Sequence, residues 1–176
     1  YSPTYYAHYG PDATSEWVRE QMSTRFGTDA AVLEVGCGVG RHLAELVDAG
    51  FTDLTGVDVN KAALNAIGES YPTLAERGSV HADTIESYVD GVADDAFDAV
   101  YSVETLQHIH PEEAWVFGEL ARITGDVLIT VENESGPDGS VNHVDDGVPL
   151  YYRDWKDVFT DLGLEAVSAA SGKRDT

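Results

Sequence analysis

The sequence has one cysteine in 176 residues and no long apolar run. A single cysteine, Cys37, excludes an intramolecular disulfide and any zinc site built from several cysteines. The apolar runs fall far short of the roughly 20 residues that a membrane-spanning helix needs, and residues 1–4 lack the basic and apolar regions of a signal peptide. We therefore expect one soluble, cytoplasmic domain, because this length supports a single hydrophobic core.

Basic side chains are also scarce. Ten of them stand against 32 acidic ones, which gives a net charge of −22, and only Lys61, Lys156 and Lys173 are lysines. Such a surface repels polyphosphate, so nucleic acid is excluded as a partner. The composition resembles that of proteins from halophilic archaea, whose many carboxylates keep the surface hydrated in concentrated salt. We expect the fold to loosen when salt is removed, because self-repulsion is then unscreened.

A glycine-rich turn follows the first apolar run. Residues 34–41 read Glu-Val-Gly-Cys-Gly-Val-Gly-Arg, and so bare a backbone between a strand and a helix lets a ligand lie against main-chain atoms. A dinucleotide fingerprint, Gly-x-Gly-x-x-Gly, needs a third glycine at the position of Arg41 and is therefore absent. Cys37 suits this turn as a small packing residue better than as a nucleophile.

Strand and helix patterns alternate along the whole chain. This order predicts a doubly wound α/β fold, with a mostly parallel sheet covered by helices on both faces. Thr14 or Ser15 is the expected cap of the first helix and Asn60 that of the third. The strands are predicted at 30–35, 54–58, 78–81, 97–102, 126–131 and 164–168, and the helices at 14–26, 39–49, from 60 to just before Pro72, at 85–89, from Pro111 onward, and at 153–162.

Ligands of such sheets bind at the carboxyl ends of the strands, and acids stand at two of these ends. Asp58 lies 22 residues after Gly36, where a carboxylate accepts both ribose hydroxyls of a nucleoside lying along the glycine turn. Asp83 follows the third strand. After the fourth strand, residues 97–109 read Phe-Asp-Ala-Val-Tyr-Ser-Val-Glu-Thr-Leu-Gln-His-Ile.

Together these four units resemble the class I S-adenosylmethionine-dependent methyltransferases of small-molecule type. The resemblance implies a Rossmann-like fold, S-adenosylmethionine as the cofactor, and an acid after strand three that takes the adenine amine. The family sheet closes with an antiparallel strand, which we expect to be missing because the sequence stops where that hairpin would turn. The cofactor-binding residues implied are Glu34, Gly36, Cys37, Gly38, Gly40, Asp58, Val59, Asp83, Thr84 and Val103.

His108 is the expected catalytic residue. The family chemistry is an in-line methyl displacement, for which the protein positions an acceptor and manages one proton. An imidazole titrates near neutrality and suits the role of base or orienter. The alternative, that His108 caps or packs the loop before Pro111, stays open, while His110 is expected to cap that helix.

Two segments are candidates for acceptor binding. Residues 1–9 hold four of the nine tyrosines, and in the resembled family an N-terminal segment often folds over the site as a lid. Residues 132–152 are predicted to form a long substrate loop. The candidate substrate residues are Tyr5, Tyr9, Tyr152 and Arg153; surface packing of the tyrosines and pairing of Arg153 with an acid are the alternatives. The domain thus divides into 1–28 (lid and helix), 29–131 (cofactor core), 132–152 (substrate loop) and 153–176 (final helix and strand).

Methylation of a small molecule, with an oxygen acceptor favoured because a histidine base suits a hydroxyl, is the predicted function. No Asn-Pro-Pro-Tyr or Asp-Pro-Pro-Tyr tetrapeptide follows the fourth strand, which disfavours methylation of DNA bases. No metal is expected, since Glu132 and Glu134 do not match the catechol-type pattern, and His143 with 145–146 suits a solvated loop. The alternatives are a non-catalytic module that binds S-adenosylmethionine or its product and a nicotinamide-dependent oxidoreductase.

Overall fold

A parallel five-stranded sheet forms the centre of the computed structural model, which describes residues 10–144 and 147–167. Its strands are β1 (Ala31–Val35), β2 (Asp53–Asp58), β3 (Ser79–Ala82), β4 (Phe97–Val103) and β5 (Thr124–Val131). They lie in the order β3-β2-β1-β4-β5, and every neighbouring pair is parallel. The order reverses beside β1, where doubly wound sheets bind their ligands.

Seven helices lie before, between and after the strands in the described part of the chain. None of them is long and apolar enough to cross a membrane. Two single 3-10 turns, Leu106–His108 and Pro111–Glu113, stand between β4 and the sixth helix. The helices are α1 (Ala13–Arg25), α2 (Arg41–Asp48), α3 (Lys61–Ser70), α4 (Pro72–Arg77), α5 (Ile85–Val89), α6 (Trp115–Ile123) and α7 (Trp155–Asp161).

Apolar side chains cover both faces of the sheet. Val32 and Leu33 are neighbours in β1 and fully buried, yet they belong to different core clusters. The first cluster packs β1 against α1 and α2, and the second packs it against α6 and α7. A parallel strand covered on both faces reads as a continuous apolar run. The predicted doubly wound α/β fold is confirmed.

Helix ends depart from the prediction in three places. Asp12, not Thr14 or Ser15, caps α1: its carboxylate accepts the N–H groups of residues 14 and 15, and the Ser15 hydroxyl accepts the Asp12 N–H to complete a capping box. The helix from Asn60 ends before Pro72 as predicted, but that proline then starts α4, since its missing N–H is tolerated at the first helical position. The predicted helix at Pro111 is first a single 3-10 turn.

The predicted strand at 164–168 is wrong for the described residues 164–167, which form no strand. Gly163 adopts φ 94° and donates its N–H to the Thr160 carbonyl, while Leu164 donates to that of Phe159. These bonds form a Schellman motif, so the chain here is still ending α7. Residue 168 lies outside the described residues.

The substrate loop predicted at 132–152 contains regular structure. Val141–Val144 (β6) and Val148–Tyr151 (β7) form an antiparallel hairpin. Its strands show little alternation of polar and apolar residues and include Pro149, so the sequence did not predict them. The hairpin stands apart from the parallel sheet, and a proline is tolerated in such an edge strand.

Candidate functional site

The glycine turn after β1 is held by the end of β2. The N–H groups of Gly36 and Cys37 both donate to the Val57 carbonyl, at 2.8 and 3.1 Å. Gly36 has φ 75°, and a Cβ there would overlap the side chain of Thr105 in the loop after β4. The close approach of two loops, together with the left-handed backbone, therefore requires glycine at this position.

The other two glycines of the turn differ in their surroundings. Gly40 has φ 78°, and a Cβ there would meet Leu74 of α4, so this glycine allows helix packing. Gly38 has φ 53° and open space where a side chain would be. Its main chain is therefore bare toward solvent beside the carboxyl ends of β1 and β2. An open backbone in this position fits a nucleoside lying along the turn.

Asp58, the last residue of β2, joins the turn to the neighbouring strands. Its Oδ2 accepts the Gly38 N–H at 2.8 Å and its Oδ1 accepts the Asn60 N–H at 2.7 Å. Its carbonyl accepts the Asp83 N–H at 3.2 Å. The adjacent Val59 is 66% exposed, an apolar side chain presented to solvent beside the acid. The two predicted acids therefore lie at neighbouring strand ends.

Asp83 organises the start of α5. Its two carboxylate oxygens accept the Thr84 N–H at 2.9 Å and the Ser87 hydroxyl at 3.1 Å. Thr84 in turn caps the helix by accepting the Ser87 N–H. The carboxylate is thereby fixed in place while keeping unused lone pairs for a ligand.

Glu34 lies beneath the turn. It is 1% exposed and accepts the Tyr101 hydroxyl at 3.0 Å. Burial raises the pKa of Glu34 well above its usual range, against the lowering effects of the Tyr101 hydrogen bond and the Arg41 charge. Cys37 is buried too, which agrees with its predicted packing role. Glu34 thus joins β1 to β4 inside the protein, two residues before the turn begins.

The loop after β4 forms the opposite wall. Glu104 has φ 50°, unusual for a side chain other than glycine. The turn after it is held by Glu132, the first residue after β5, which accepts the N–H groups of Leu106 at 3.1 Å and Gln107 at 3.3 Å. Burial raises the pKa of Glu132 to about 7. Sequence reasoning weighed Glu132 only as a metal ligand and missed this contact.

His108 has both ring nitrogens in polar contacts. Nδ1 lies 2.7 Å from the Pro149 carbonyl, which only accepts, so this nitrogen carries the proton. Nε2 lies 3.4 Å from the side-chain nitrogen of Gln107. The Gln107 amide orientation is fixed, because its oxygen accepts the Asn133 N–H at 2.7 Å. With the proton on Nδ1, the Nε2 atom faces the Gln107 amide, and the ring links the β4 loop to β7.

Arg153 is enclosed by rings and carbonyls. Its guanidinium lies 5.2 to 5.5 Å from the ring centres of Phe117, Tyr151 and Trp155. It donates to the Ile109 carbonyl at 2.6 Å and, more weakly, to that of Leu106 at 3.5 Å. No described acid forms an ion pair with it, so the predicted alternative of an acid partner is wrong within these residues.

The remaining predicted residues are placed as follows. His110 accepts the Glu112 N–H at 3.2 Å and caps the 3-10 turn, as predicted. The Tyr152 hydroxyl accepts from Asn142 at 3.3 Å. Tyr5 and Tyr9 lie outside the described residues, as do residues 145–146. The predicted cofactor residues Glu34, Gly36, Cys37, Gly38, Gly40, Asp58, Val59, Asp83, Thr84 and Val103 all lie at or beneath the carboxyl ends of β1 to β4.

Comparison with known proteins agrees with this arrangement. A family model described as a methyltransferase domain matches residues 32–126, more than half of the chain. The methyltransferase GfsG of Streptomyces halstedii is 30% identical over 128 residues, which is 66% of this chain and 46% of that protein. An O-methyltransferase of Pyrenophora dematioidea is 25% identical over 119 residues, or 64% and 44%. The chain spans less than half the length of these two relatives.

Solved structures share the fold. The magnesium protoporphyrin IX methyltransferase of Synechocystis PCC 6803, solved with S-adenosylmethionine, matches with TM-score 0.68 at 16% identity, over 92% of this chain and 73% of that one. The 1,6-didemethyltoxoflavin-N1-methyltransferase of Burkholderia thailandensis, solved with S-adenosylhomocysteine, matches with TM-score 0.67 at 16% identity, over 85% and 67%. At this identity the likeness concerns the fold.

Proposed function

This chain belongs to the methyltransferase-domain family of class I S-adenosylmethionine-dependent enzymes, and we propose that it methylates a small-molecule acceptor. The observation that carries the proposal is the open backbone of Gly38, whose N–H is held by Asp58. The names of matched relatives, several of them O-methyltransferases, support an oxygen acceptor.

The cofactor-holding residues follow from the strand ends. Asp58 offers its remaining lone pairs to the ribose hydroxyls, and Asp83 offers its own to the adenine amine. The exposed side chain of Val59 supplies an apolar surface for the base, and residues 36–40 supply the bare main chain. When bound, S-adenosylmethionine brings an electrophilic sulfonium methyl group, so that positioning is the main task of the protein.

His108 is the proposed proton acceptor. Its Nε2 lone pair meets the Gln107 amide at 3.4 Å, longer than the usual range for a hydrogen bond to nitrogen. An acceptor hydroxyl that forms a shorter hydrogen bond would displace the Gln107 amide and transfer its proton to Nε2. The proton on Nδ1 stays there and keeps its hydrogen bond to the Pro149 carbonyl, which stabilises the imidazolium that forms.

The acceptor pocket is proposed to lie between the β4 loop and the β6–β7 hairpin. We propose Tyr152 and Arg153 as wall residues of this pocket, and Tyr5 and Tyr9 on sequence position alone. Because the Arg153 guanidinium is already bound to carbonyls and rings, we propose that it shapes the wall, which favours a neutral acceptor over an anionic one.

Calorimetry with S-adenosylmethionine, S-adenosylhomocysteine and NAD tests the proposal. Release of S-adenosylhomocysteine in the presence of a panel of small alcohols, phenols and amines identifies an enzyme. Binding of both nucleosides without release on any acceptor identifies a binding module, and binding of NAD alone identifies an oxidoreductase. His108→Ala should keep cofactor affinity and lose turnover, whereas His143→Ala, an exposed histidine on β6, should retain both.

We further propose that the protein works in concentrated salt, in the cytoplasm of a halophilic organism. The support is the net charge of −22 with three lysines. Circular dichroism from molar salt down to dilute buffer tests the salt requirement. A spectrum and thermal midpoint that do not change with salt would contradict it, since unscreened repulsion should lower stability.

A further inference from the structure

The Glu132 side chain is partly buried, and its hydrogen bonds come from the end of β4 and from the loop that follows β4. Its Oε1 accepts the Ser102 hydroxyl of β4 at 2.7 Å and the Leu106 N–H at 3.1 Å, and its Oε2 accepts the Gln107 N–H at 3.3 Å. A buried carboxylate is costly unless its lone pairs are used, and here the loop supplies the donors. The acid therefore ties the end of β5 to the turn after β4.

The same contacts lead to the imidazole. Gln107 is 3% exposed, and Glu132 holds its backbone while the next residue, Asn133, donates its N–H to the Gln107 side chain. Glu132 and Asn133 therefore hold the backbone and the side chain of Gln107, respectively. The side-chain nitrogen of Gln107 lies 3.4 Å from Nε2 of His108. The direction of the His108 lone pair depends on this chain of contacts.

We propose that Glu132 is a positioning residue for methyl transfer, holding the turn after β4 so that Gln107 orients the Nε2 atom of His108. The inference rests on the proposed function, since the ring matters only if it meets an acceptor. Glu132→Gln keeps one side-chain oxygen but turns an N–H₂ group toward a backbone N–H. The turn then loosens, the His108 ring loses its fixed distance to the Pro149 carbonyl, and both ring tautomers become populated.

The Arg153 guanidinium interacts with the charge of Glu132, and His108 is connected to the acid through Gln107. Burial outweighs the hydrogen bonds from Ser102 and the turn, and holds the pKa of Glu132 at about 7. Protonation removes an acceptor from the turn, so the ionised acid is the form that orients the ring.

Imidazole ¹⁵N NMR tests the inference in wild type, Glu132→Gln and Glu119→Gln, each measured first without ligand and then with S-adenosylhomocysteine. Glu119 pairs with Arg122 on α6 and is the matched control. Wild type and control should show a protonated Nδ1 and an unprotonated Nε2 at His108. Glu132→Gln should show averaged shifts of two exchanging tautomers. Unchanged His108 shifts in Glu132→Gln would overturn the inference.

Two further measurements decide the case if Glu132→Gln does not fold. The amide protons of Leu106 and Gln107 in wild type should titrate with a midpoint near pH 7, because both donate to the acid; the absence of this titration would overturn the inference. Gln107→Ala, which leaves the acid and the Nδ1–Pro149 bond intact, should keep the proton on Nδ1 but shift the Nε2 resonance, because the amide that faces Nε2 is removed. An unchanged Nε2 resonance in this variant would likewise overturn the inference.

Failure of this inference can be distinguished from failure of the proposed function. Failure of wild type to bind S-adenosylhomocysteine would refute the function, whereas the ring shifts are read independently. With an acceptor in hand, Glu132→Gln should lower kcat about 10- to 100-fold at unchanged KM for S-adenosylmethionine, as expected for a misplaced catalytic group. The acid limb near pH 7 should also disappear from its rate profile. Equal losses of affinity and turnover would mean a structural role and overturn the inference.

Discussion

The Asp58 carboxylate accepts the N–H of Gly38 at 2.8 Å, so the acid that ends β2 holds the centre of the turn that follows β1. The second oxygen of the same carboxylate holds Asn60, the cap of α3. One side chain therefore fixes the bare backbone of the turn and the start of the next helix. Through the Asp58 side chain, ligand binding along the turn is coupled to the order of the chain at the end of β2.

Asp58→Asn should weaken the binding of S-adenosylhomocysteine roughly 10- to 100-fold, because a hydrogen bond to a charged group contributes about 1.5–3 kcal/mol. The asparagine keeps one acceptor and turns an N–H₂ toward a backbone donor. Isothermal calorimetry measures the change. Asp53→Asn, at the other end of the same strand and exposed, is the matched control and should bind as wild type. Equal affinity in the two variants would contradict the assignment of Asp58.

Gly38→Ala should abolish cofactor binding while the protein still folds. A Cβ there meets nothing within 4 Å, so its cost to folding is the left-handed backbone alone, about 1–2 kcal/mol. The added methyl group would occupy the space offered to the nucleoside. Gly163→Ala is the control, since that glycine also has positive φ and open space but ends α7. Its thermal midpoint should fall similarly, with binding intact; binding retained in Gly38→Ala would contradict the prediction.

The inner strands β1, β2 and β4 could be predicted because burial on both faces requires apolar side chains at consecutive positions. Val32 and Leu33 are both apolar since each faces a different core cluster, and the glycines and acids at the strand ends stand at fixed local positions. The hairpin strand β7 lacks such a mark. Pro149 argues locally against a strand, and only pairing with β6 stabilises one.

The long-range contacts that hold the site together could not be predicted from the sequence in the same way. Glu132 and Gln107 are 25 residues apart, and nothing local says that an acid after β5 accepts backbone donors from another loop. Arg153 reaches Ile109, 44 residues away. Such contacts depend on which loops meet above the sheet, and this is decided by packing of the whole domain. The detectable sign was an acid directly after the apolar run that ends β5.

Arg153→Lys should destabilise the loop after β4 by about 1–2 kcal/mol. A lysine lacks the planar guanidinium that stacks on Phe117 and reaches the Ile109 carbonyl, and these contacts are only partly shielded from solvent. Denaturant unfolding measures the loss, and hydrogen exchange should locate it around 106–109. Arg77→Lys, an exposed arginine at the end of α4, is the control. Equal stability of the two variants would show that Arg153 is dispensable.

A buried contact between α1 and α2 makes stability depend on pH. His42 is 5% exposed, and its Nδ1 lies 2.7 Å from the Ser15 hydroxyl. Burial, aided by the neighbouring Arg41, lowers the pKa of His42 from 6.5 to about 4. The unfolded chain therefore binds a proton on this ring below about pH 6.5 that the folded protein rejects until about pH 4.

His42→Gln should remove a loss of stability that wild type suffers as the pH falls from 6.5 to 4. The unfolded state holds more protons in that window, so the free energy of unfolding decreases as the pH is lowered, by up to about 3 kcal/mol at 1.36 kcal/mol per pKa unit.

Glu132→Gln should remove a pH dependence of opposite sign. The raised pKa of that acid makes the free energy of unfolding decrease as the pH rises from about 4.5 to 7. Urea unfolding at each pH measures both, with His143→Gln as the control; parallel curves for His42→Gln and this control would contradict the assignment.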